Sequence, residues 1–303
     1  MRDVSAKPIS LRSATAEATL TCAEETLARI RSGDLPKADP IGVARVAGIQ
    51  AAKQTSLLIP YCHQVPLDHV ALEITEGDRA LRIRASVRAV WKTGVEMEAL
   101  TAASAAALTL YDMLKIIDDT MEIRDVRLTA KKGGKSDFRA PAREAAAAVI
   151  VLSDSAAKGT RKDSSGETIR GRLALLGVRV GEFLILPDER AELAAALRRI
   201  ADAGSTDLIV TTGGTGVGPR DTAPEATQEV IERPLPGVAE ALRAHGQERN
   251  RFAMLSRGVA GVRGRTLIVN LPGSEAAVTE SLDLLLPWIL HALEILRGGG
   301  HPG

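Results

Sequence analysis

The sequence predicts an α+β domain followed by an α/β domain with a mostly parallel sheet. The chain has 303 residues, whereas single domains usually contain about 100 to 200. Strands and helices are mixed without regular alternation in the first part, while four apolar runs alternate with helical segments in the second. The composition changes between Lys131 and Ala148, so we expect domains at 1–140 and 147–303 and a linker near 137–146.

The first domain is expected to contain two helices near its beginning. Thr21 and Glu24 have the spacing of a capping box for a helix that runs through Arg31 and ends at Gly33. A second helical stretch is predicted over residues 41–54.

An antiparallel pair of strands and a long helix complete the first domain. Apolar residues alternate with other residues over 70–74 and again over 81–87, which is the pattern of two half-buried strands. The Ala- and Leu-rich stretch 98–118 predicts a long helix, and a last strand follows at 123–128. These elements indicate an α+β domain.

The second domain is predicted from four strongly apolar runs, each of which ends in small, acidic or glycine residues. Between the runs lie helical segments, so the strands are expected to be parallel. In such a sheet the ligand crevice lies beyond the carboxyl ends of the strands. The runs are AVIVLSD at 148–154, EFLILPD at 182–188, DLIVTTGG at 207–214 and TLIVNLPG at 266–273.

Charge and cysteine content exclude several classes of protein. The 39 Lys and Arg residues nearly balance the 38 acids, so the formal net charge of +1 gives no basis for nucleic-acid binding, and any anion site must be local. Cys22 and Cys62 are too few for a disulfide framework or a structural zinc site, which favours a reducing cytoplasm. No signal peptide and no apolar run of about 20 residues is found, so no membrane association is expected.

A glycine loop follows the third run of the second domain, in the stretch DLIVTTGGTGVGPRDTAPEAT at 207–227. A strand that leads into a glycine loop and then into a helix can direct backbone N–H groups at phosphate. A second interpretation is that Gly213, Gly214 and Gly216 serve only a tight turn. The loop matches neither the P-loop nor the dinucleotide-binding fingerprint, so it predicts neither of those folds.

Taken together with its neighbours, this loop resembles the signature of the molybdopterin adenylyltransferase family (MogA/MoaB) over residues 147–303. The matching motifs are SDS at 153–155, DSSG at 163–166, LPDE at 186–189, TTGGTG at 211–216, PRD at 219–221, PGVAEALR at 236–243, AMLSR at 253–257 and NLPGS at 270–274.

The resemblance implies adenylyl transfer from ATP to molybdopterin with Mg²⁺, a cation that prefers hard oxygen ligands. It carries over Asp188 and Asp221 as essential acids, with Asp221 as the metal ligand. Asp154 also follows a strand, where it either joins these acids or caps a helix. Ala223 replaces a frequent threonine, which affects the local helix cap. The residues expected to hold pterin and phosphates are Thr212, Gly213, Gly214, Thr215, Gly216, Ser256, Pro272, Gly273 and Ser274.

Four stretches of the first domain resemble the cyclic pyranopterin monophosphate synthase family (MoaC) across nearly all of residues 1–136. For this domain we accordingly expect a ferredoxin-like α+β fold, without a tightly bound cofactor. The stretches are LPKAD at 35–39, AKQTSLLIPYCHQ at 52–64, KTGVEMEALTAASAAALTLYDMLK at 92–115 and KKGGKS at 131–136.

The residues of these stretches allow two interpretations. Asp112 and Lys115 share one helix face and can pair, and apolar surroundings would lower the pKa of Lys115 towards the range for proton transfer. The alternative is an exposed ion pair. Glu96 and Glu98 suit a site but also suit a helix N-terminus. His63 has too few neighbouring ligands for a metal, so positioning or proton exchange is expected.

The resemblance implies that 3′,8-cyclo-dihydro-GTP is rearranged to cyclic pyranopterin monophosphate with loss of pyrophosphate. Lys37 and Lys115 carry over as the general acid/base pair, and Lys53 and Lys135 as candidate phosphate contacts. The family usually has other residues at Ala38 and Gln64, beside the proposed site. The residues implied to orient the two lysines are Asp112, His63, Glu96 and Glu98.

The sequence therefore predicts a bifunctional cytoplasmic enzyme for molybdenum cofactor biosynthesis, with small-molecule substrates. Two alternatives concern the second domain, which would be a non-catalytic pterin-binding or oligomerisation module, or a nucleotide-binding regulator. Because both families contain threefold axes, a homo-hexamer with a synthase core is expected.

Overall fold

The computed structural model describes residues 1–37, 39–134, 145–160 and 163–299. The chain divides into two compact units, Met1–Asp137 and Phe138–Gly303. The predicted linker lies mostly outside the described residues, and its last two positions already belong to the first strand of the second unit.

The first unit contains a four-stranded antiparallel sheet with the strand order β2-β3-β1-β4. The predicted strand pair is confirmed, and the last strand extends further than expected. The strands are β1 (Ser10–Thr21), β2 (His69–Gly77), β3 (Ala80–Trp91) and β4 (Glu122–Lys132).

The central strand β1 is absent from the sequence-based prediction. Its buried positions are Ala14, Ala16, Ala18 and Leu20, which alternate with more exposed residues and pair with β3 along the whole strand. Alanine has a low strand propensity and a small side chain, so the alternation carries little apolar signal. The close packing of helices on the sheet explains why small residues occupy these positions.

Four helices accompany this sheet in the part of the first unit that the structure describes, and two of them form most of the core with it. The helices are α1 (Glu24–Ser32), α2 (Pro40–Lys53), α3 (Thr55–Leu58) and α4 (Glu96–Leu114). Helix α4 packs against β1, β3 and β4, and α2 packs against α4 and β2. The two helices approach closely, since a Cβ added at Gly48 would lie 3.0 Å from the carbonyl oxygen of Ala102.

The start of α1 differs from the predicted capping box. Ala23 is the N-cap and provides no side-chain hydrogen bond. Instead the Asp118 carboxylate accepts from the backbone N–H of Ala23 and from the Thr26 hydroxyl, both at 2.7 Å. The predicted end of the helix is confirmed, because Gly33 adopts the left-handed conformation with a φ of 74°.

The second unit contains a six-stranded sheet with the order β6-β5-β7-β10-β9-β8. The four predicted apolar runs form β5, β6, β7 and β10, which are parallel as expected, while β8 and β9 join antiparallel. The strands are β5 (Ala145–Leu152), β6 (Val178–Leu186), β7 (Leu208–Thr212), β8 (Arg233–Pro234), β9 (Ala260–Arg263) and β10 (Thr266–Leu271).

Helices cover both faces of this sheet, so its central strands are apolar on both sides. Ala147 and Val149 of β5 pack into one core with α6 and α10, and Ile150 and Leu152 pack into another with α7 and α8. The helices are α5 (Asp154–Ala157), α6 (Ser165–Ala174), α7 (Arg190–Asp202), α8 (Ala223–Gln228), α9 (Pro236–Gln247) and α10 (Glu275–Leu296), with a 3₁₀ helix at Arg251–Leu255.

Among the described residues, no single helix is both long enough and apolar enough to cross a membrane. By length and composition alone, one bent pair of helical segments would, namely Glu275–Leu286 with Trp288–Leu296. These segments form α10, and Leu282, Leu285 and Ile289 on it belong to the core of the second unit.

Candidate active sites

The carboxyl ends of β5, β6, β7 and β10 lie at one edge of the second sheet, where a cavity of about 400 Å³ opens. A neighbouring cavity of about 420 Å³ shares Gly214, Asp221, Gly273 and Ser274 with it. The remaining predicted residues divide between the two cavities. Asp188, Thr212 and Gly213 line the first, and Thr215, Gly216, Ser256 and Pro272 line the second. The structure thus brings together every predicted site residue of this unit.

The glycine loop is held against the ends of two neighbouring strands. Gly213 has a φ of 97°, and a Cβ at this position would lie 2.3 Å from the carbonyl oxygen of Leu152. Gly273 approaches from the other side, where a Cβ would lie 3.2 Å from the Cα of Gly213. The Thr212 hydroxyl donates to the Pro272 carbonyl oxygen at 2.7 Å. Only glycine fits at position 213, both for its backbone conformation and for space.

Asp221 lies where the glycine loop meets the following helix. Its carboxylate accepts a hydrogen bond from the backbone N–H of Gly218 at 2.8 Å. A Cβ at either Gly216 or Gly218 would lie 2.8 Å from the same carboxylate oxygen. The two glycines therefore leave the space that the carboxylate occupies between both cavities.

Asp188 and Asp154 are joined by two reciprocal hydrogen bonds. The backbone N–H of each residue donates to the carboxylate of the other, at 3.1 Å in both directions. Burial raises the pKa of Asp188, while the bond from the Asp188 N–H and the Arg220 guanidinium lower the pKa of Asp154. Asp154 is not the helix cap, because Ser153 caps α5 through the N–H of Ala156.

Two carboxylates of this site are of the kind that can hold a magnesium ion. Among the described residues, no three His, Cys, Asp or Glu side chains are grouped so that they could hold a metal ion by themselves. Asp188 and Asp221 nevertheless line one cavity together with the glycine loop. Mg²⁺ is usually bound by one or two carboxylates together with substrate phosphates and waters, and two acids therefore suffice.

Helix α8 begins without a side-chain cap at Thr222. Ala223, which departs from the family pattern, is 1% exposed, and its backbone N–H donates to the Gly214 carbonyl oxygen at 3.1 Å. The backbone bond ties the helix to the glycine loop, so the missing threonine hydroxyl leaves this connection intact.

In the first unit, Lys37, Asp112 and Lys115 form one cluster. Lys37 donates to the Asp112 carboxylate at 2.9 Å, and Lys115 donates to its other oxygen at 2.7 Å. Hydrogen bonds from Lys115 and Lys37 lower the pKa of Asp112 to about 2. Asp112 in turn raises the pKa of Lys115. Of the two interpretations, the lowered lysine pKa is wrong and the exposed ion pair is confirmed, because the Lys115 side chain is 54% exposed and paired with Asp112.

The other predicted residues of the first unit form separate contacts. Glu98 is 2% exposed, its pKa is raised by burial, and one carboxylate oxygen accepts from the Cys62 thiol at 3.7 Å. Glu96 pairs with Lys131 at 3.4 Å, and the His63 ring lies 2.7 Å from the carbonyl oxygen of Arg2.

Not every proposed position of this unit contributes a contact. Lys53 is exposed at the last turn of α2, and Gln64 is exposed as well. Lys135 and Ala38 lie outside the described residues. Among the described residues, the structure therefore groups Lys37, Asp112 and Lys115, and the other predicted residues of this unit are not part of that cluster.

Comparison with known proteins covers both units. The model of the MoaC family matches residues 1–134, and the model described as a probable molybdopterin binding domain matches residues 148–291. A molybdenum cofactor biosynthesis bifunctional protein of Chlorobaculum tepidum is 47% identical over 99% of this chain and 96% of its own length. The chain belongs to this bifunctional family. Both resemblances predicted from the motifs are thereby confirmed.

Two further relatives match all or about half of the chain. A bifunctional protein of the same description from Synechococcus elongatus is 39% identical over 99% of this chain and 98% of its own length. A cyclic pyranopterin monophosphate synthase of Chloroflexus aurantiacus is 51% identical over 46% of this chain and 88% of its own length. Among solved structures, a molybdopterin biosynthesis enzyme MoaB from Thermus thermophilus is 45% identical, covering 50% of this chain and 96% of its own, with a TM-score of 0.48.

Two arginines that connect segments next to the predicted motifs were not predicted from the sequence. Arg257 donates from its backbone to the Thr215 carbonyl oxygen at 2.8 Å and from its Nε to that of Gly216 at 2.6 Å. Its guanidinium also contacts Glu225 and the carbonyl oxygen of Asp221. The only sequence feature that could have indicated a site role for Arg257 is its position at the end of the AMLSR motif.

Arg12 has a similar role in the first unit. It is 8% exposed, and its guanidinium donates to the carbonyl oxygens of Trp91 and Lys92 at 3.2 and 3.4 Å. A Cβ at Gly134 would lie 1.9 Å from this guanidinium. Arg12 therefore packs the segment that leads to α4 against the glycines of the KKGGKS motif, and nothing in the local sequence distinguishes it from a surface arginine.

Proposed function

We propose that the chain catalyses two steps of molybdenum cofactor biosynthesis. The first unit converts 3′,8-cyclo-dihydro-GTP to cyclic pyranopterin monophosphate and releases pyrophosphate, and the second unit adenylylates molybdopterin with Mg-ATP. The proposal is supported by relatives described as molybdenum cofactor biosynthesis bifunctional proteins, which align over 99% of the chain, and by a relative described as a cyclic pyranopterin monophosphate synthase, which aligns over 46% of it. The observation that carries the proposal is the grouping of the matched charged residues, Lys37 with Asp112 and Lys115, and Asp188 with Asp221.

For the first unit we assign a ferredoxin-like fold, supported by the β-α-β-β-α-β order of its main elements and by the sheet order β2-β3-β1-β4. Lys37 and Lys115 share the carboxylate of Asp112, which keeps both ammonium groups oriented. Because Asp112 raises its pKa, Lys115 is protonated at neutral pH and acts first as a proton donor. The second lysine stabilises negative charge on the departing pyrophosphate.

For the second unit, Asp188 and Asp221 are the residues that would hold Mg²⁺ at the phosphates of ATP. The bound cation would stabilise the negative charge of the leaving pyrophosphate. The loop Thr212–Gly216 presents its backbone to the phosphates at the strand ends. A phosphate oxygen of molybdopterin forms the new bond to the α-phosphorus, and the bond to pyrophosphate breaks.

A non-catalytic role for the second unit is the second candidate, since a cavity of about 420 Å³ could bind a pterin without turnover. Retention of both Asp188 and Asp221 in the neighbouring cavity favours catalysis. The test is incubation of the full chain with ATP, Mg²⁺ and molybdopterin, followed by identification of the product by mass spectrometry. Binding of molybdopterin without an adenylylated product would establish the non-catalytic role.

We also propose a cytoplasmic homo-hexamer with a synthase core and one adenylyltransferase-like trimer at each end. Large apolar side chains are exposed on the first unit, among them Leu57 at 80%, Tyr61 at 78% and Val46 at 67%, which a subunit interface would cover. Light scattering of the intact chain should give six times the mass of 32.0 kDa. A monomer would contradict the proposal.

A further inference from the structure

Arg220 bridges two acids that follow different strands of the second sheet. Its guanidinium donates to both carboxylate oxygens of Asp154 at 2.9 Å, and to the Glu189 carboxylate at 2.7 Å. Asp154 follows β5, Glu189 follows β6, and Arg220 itself follows β7. One side chain therefore joins three segments at the carboxyl edge of the sheet.

These contacts connect directly to the two acids proposed to hold the metal. Asp154 exchanges two hydrogen bonds with Asp188, and Asp221 is the chain neighbour of Arg220. We call Arg220, Asp154, Asp188 and Glu189 the Arg220 network. The network links the segment that carries Asp221 to the segment that carries Asp188 across the cavity that both line.

We propose that Arg220 is a positioning residue which fixes the spacing between Asp188 and Asp221 through Asp154. This inference rests on the proposed adenylyl transfer, because it concerns the acids that would hold Mg-ATP. In this arrangement Asp154 is not a metal ligand, since its carboxylate is occupied by the Arg220 guanidinium and by the N–H of Asp188. Lysine would replace Arg220 only in part, because it lacks the planar fork that holds two carboxylates at once.

The alternative is that these residues form an ordinary surface ion pair. The side chains of Arg220, Asp154 and Glu189 are 55%, 39% and 51% exposed, and pairs of this kind contribute little to stability. Variants should therefore fold, so an effect on metal binding can be separated from an effect on stability. A matched control is Arg199, which is 58% exposed and holds Glu182 with two hydrogen bonds on the same unit.

The experiment uses the intact chain and the variants Arg220→Gln, Arg220→Lys, Asp154→Asn and Arg199→Gln. Binding of Mn²⁺ in the presence of α,β-methylene-ATP is measured by electron paramagnetic resonance, and kcat and KM are measured for adenylylation. We expect Arg220→Gln to weaken Mn²⁺ binding and to lower kcat by about 100-fold, the loss typical of a misplaced reacting group. KM for molybdopterin should stay within about twofold in every variant, and Arg220→Lys should restore kcat only in part.

A double variant distinguishes positioning from direct ligation. If Arg220 acts through Asp154, Asp154→Asn adds little to the Mn²⁺ loss already caused by Arg220→Gln. Additive losses, or a larger loss from Asp154→Asn alone, would show that Asp154 is a ligand and would overturn the proposal. Wild-type Mn²⁺ binding and kcat in Arg220→Gln would overturn it as well. If even the wild-type chain does not adenylylate molybdopterin, the proposed function is wrong. The Mn²⁺ measurement would still decide whether Arg220 is a positioning residue.

Discussion

Gly213→Ala provides a quantitative test of the glycine loop. The new methyl group would lie 2.3 Å from the carbonyl oxygen of Leu152, which is backbone and cannot turn away. The φ of 97° is also unfavourable for alanine and costs about 1–2 kcal/mol. Relief of the overlap requires a backbone shift, and overpacking of this kind costs about 1–3 kcal/mol. We expect the variant to lose about 2–5 kcal/mol of unfolding free energy in total.

The control is Gly204→Ala, which separates the backbone conformation from the overlap. Gly204 has a φ of 69°, and no atom lies within 4 Å of a Cβ at this position. Gly204→Ala should therefore lower the unfolding free energy only by the cost of the backbone conformation, about 1–2 kcal/mol. The gain from a less flexible unfolded chain is the same for both variants and cancels in their difference.

The assay is urea unfolding followed by tryptophan fluorescence. The sequence has two tryptophans, Trp91 in the first unit and Trp288 in the second, so a Trp91→Phe background reports on the second unit alone. Equal losses of unfolding free energy for Gly213→Ala and Gly204→Ala would refute the close approach of the loop to β5. A larger loss for Gly204→Ala would refute it too.

Three further predictions concern single side chains. Lys115→Ala should lower the rate of cyclic pyranopterin monophosphate formation by about 10²–10⁴-fold. The variant should stay folded in circular dichroism, because the Lys115 side chain is exposed. A folded variant that forms the product at the normal rate would exclude Lys115 from the mechanism. Asp221→Asn should lower Mg²⁺-dependent adenylylation by about 100-fold or more and spare molybdopterin binding, as measured by calorimetry; a collapse of pterin affinity would instead make Asp221 a pterin ligand. Burial raises the pKa of Glu98 in the folded state, so folding favours its protonated form. The contribution of Glu98 to the unfolding free energy is therefore present below its unfolded pKa and is lost as the pH rises through its folded pKa. Glu98→Gln should therefore weaken the fall in stability with rising pH in urea titrations, and an unchanged pH profile would show that Glu98 is not the titrating group.

Most of the second unit could be predicted from its sequence, because parallel strands buried on both faces produce continuous apolar runs. Alternate residues of β5 belong to the two cores on opposite faces of the sheet, and the run AVIVLSD is accordingly apolar at successive positions. The first unit was harder, since its central strand buries alanines at Ala14, Ala16 and Ala18. The apolar pattern of such a strand is weak, and the register becomes clear only from its pairing with β3.

The contacts that could not be predicted join residues far apart in the chain. Asp118 replaces the expected cap of α1 from 95 residues away, because its carboxylate meets the N–H of Ala23. Arg220 reaches Asp154 across 66 residues of sequence. Helix caps and motifs report on neighbours along the chain, whereas these pairs depend on the order of strands in the sheet, which local spacing does not specify.

The exposure of Lys115 has a mechanistic consequence. The apolar sequence of α4 allowed a desolvated lysine, but the side chains of Asp112 and Lys115 lie on the exposed side of its C-terminal end, where Asp112 contacts Lys115 and Lys37. Two ammonium groups and one carboxylate leave this cluster with a net charge of +1. Because the formal charges of the whole chain nearly cancel, any anion site has to be local, and this cluster is a local excess of positive charge. Under the proposed function this cluster would attract the phosphates of the substrate before any proton moves, and a bound phosphate that competes for one lysine would weaken the contact of that lysine with Asp112. The proposed proton donor would therefore have a pKa that depends on substrate binding, and not a pKa set in advance by burial.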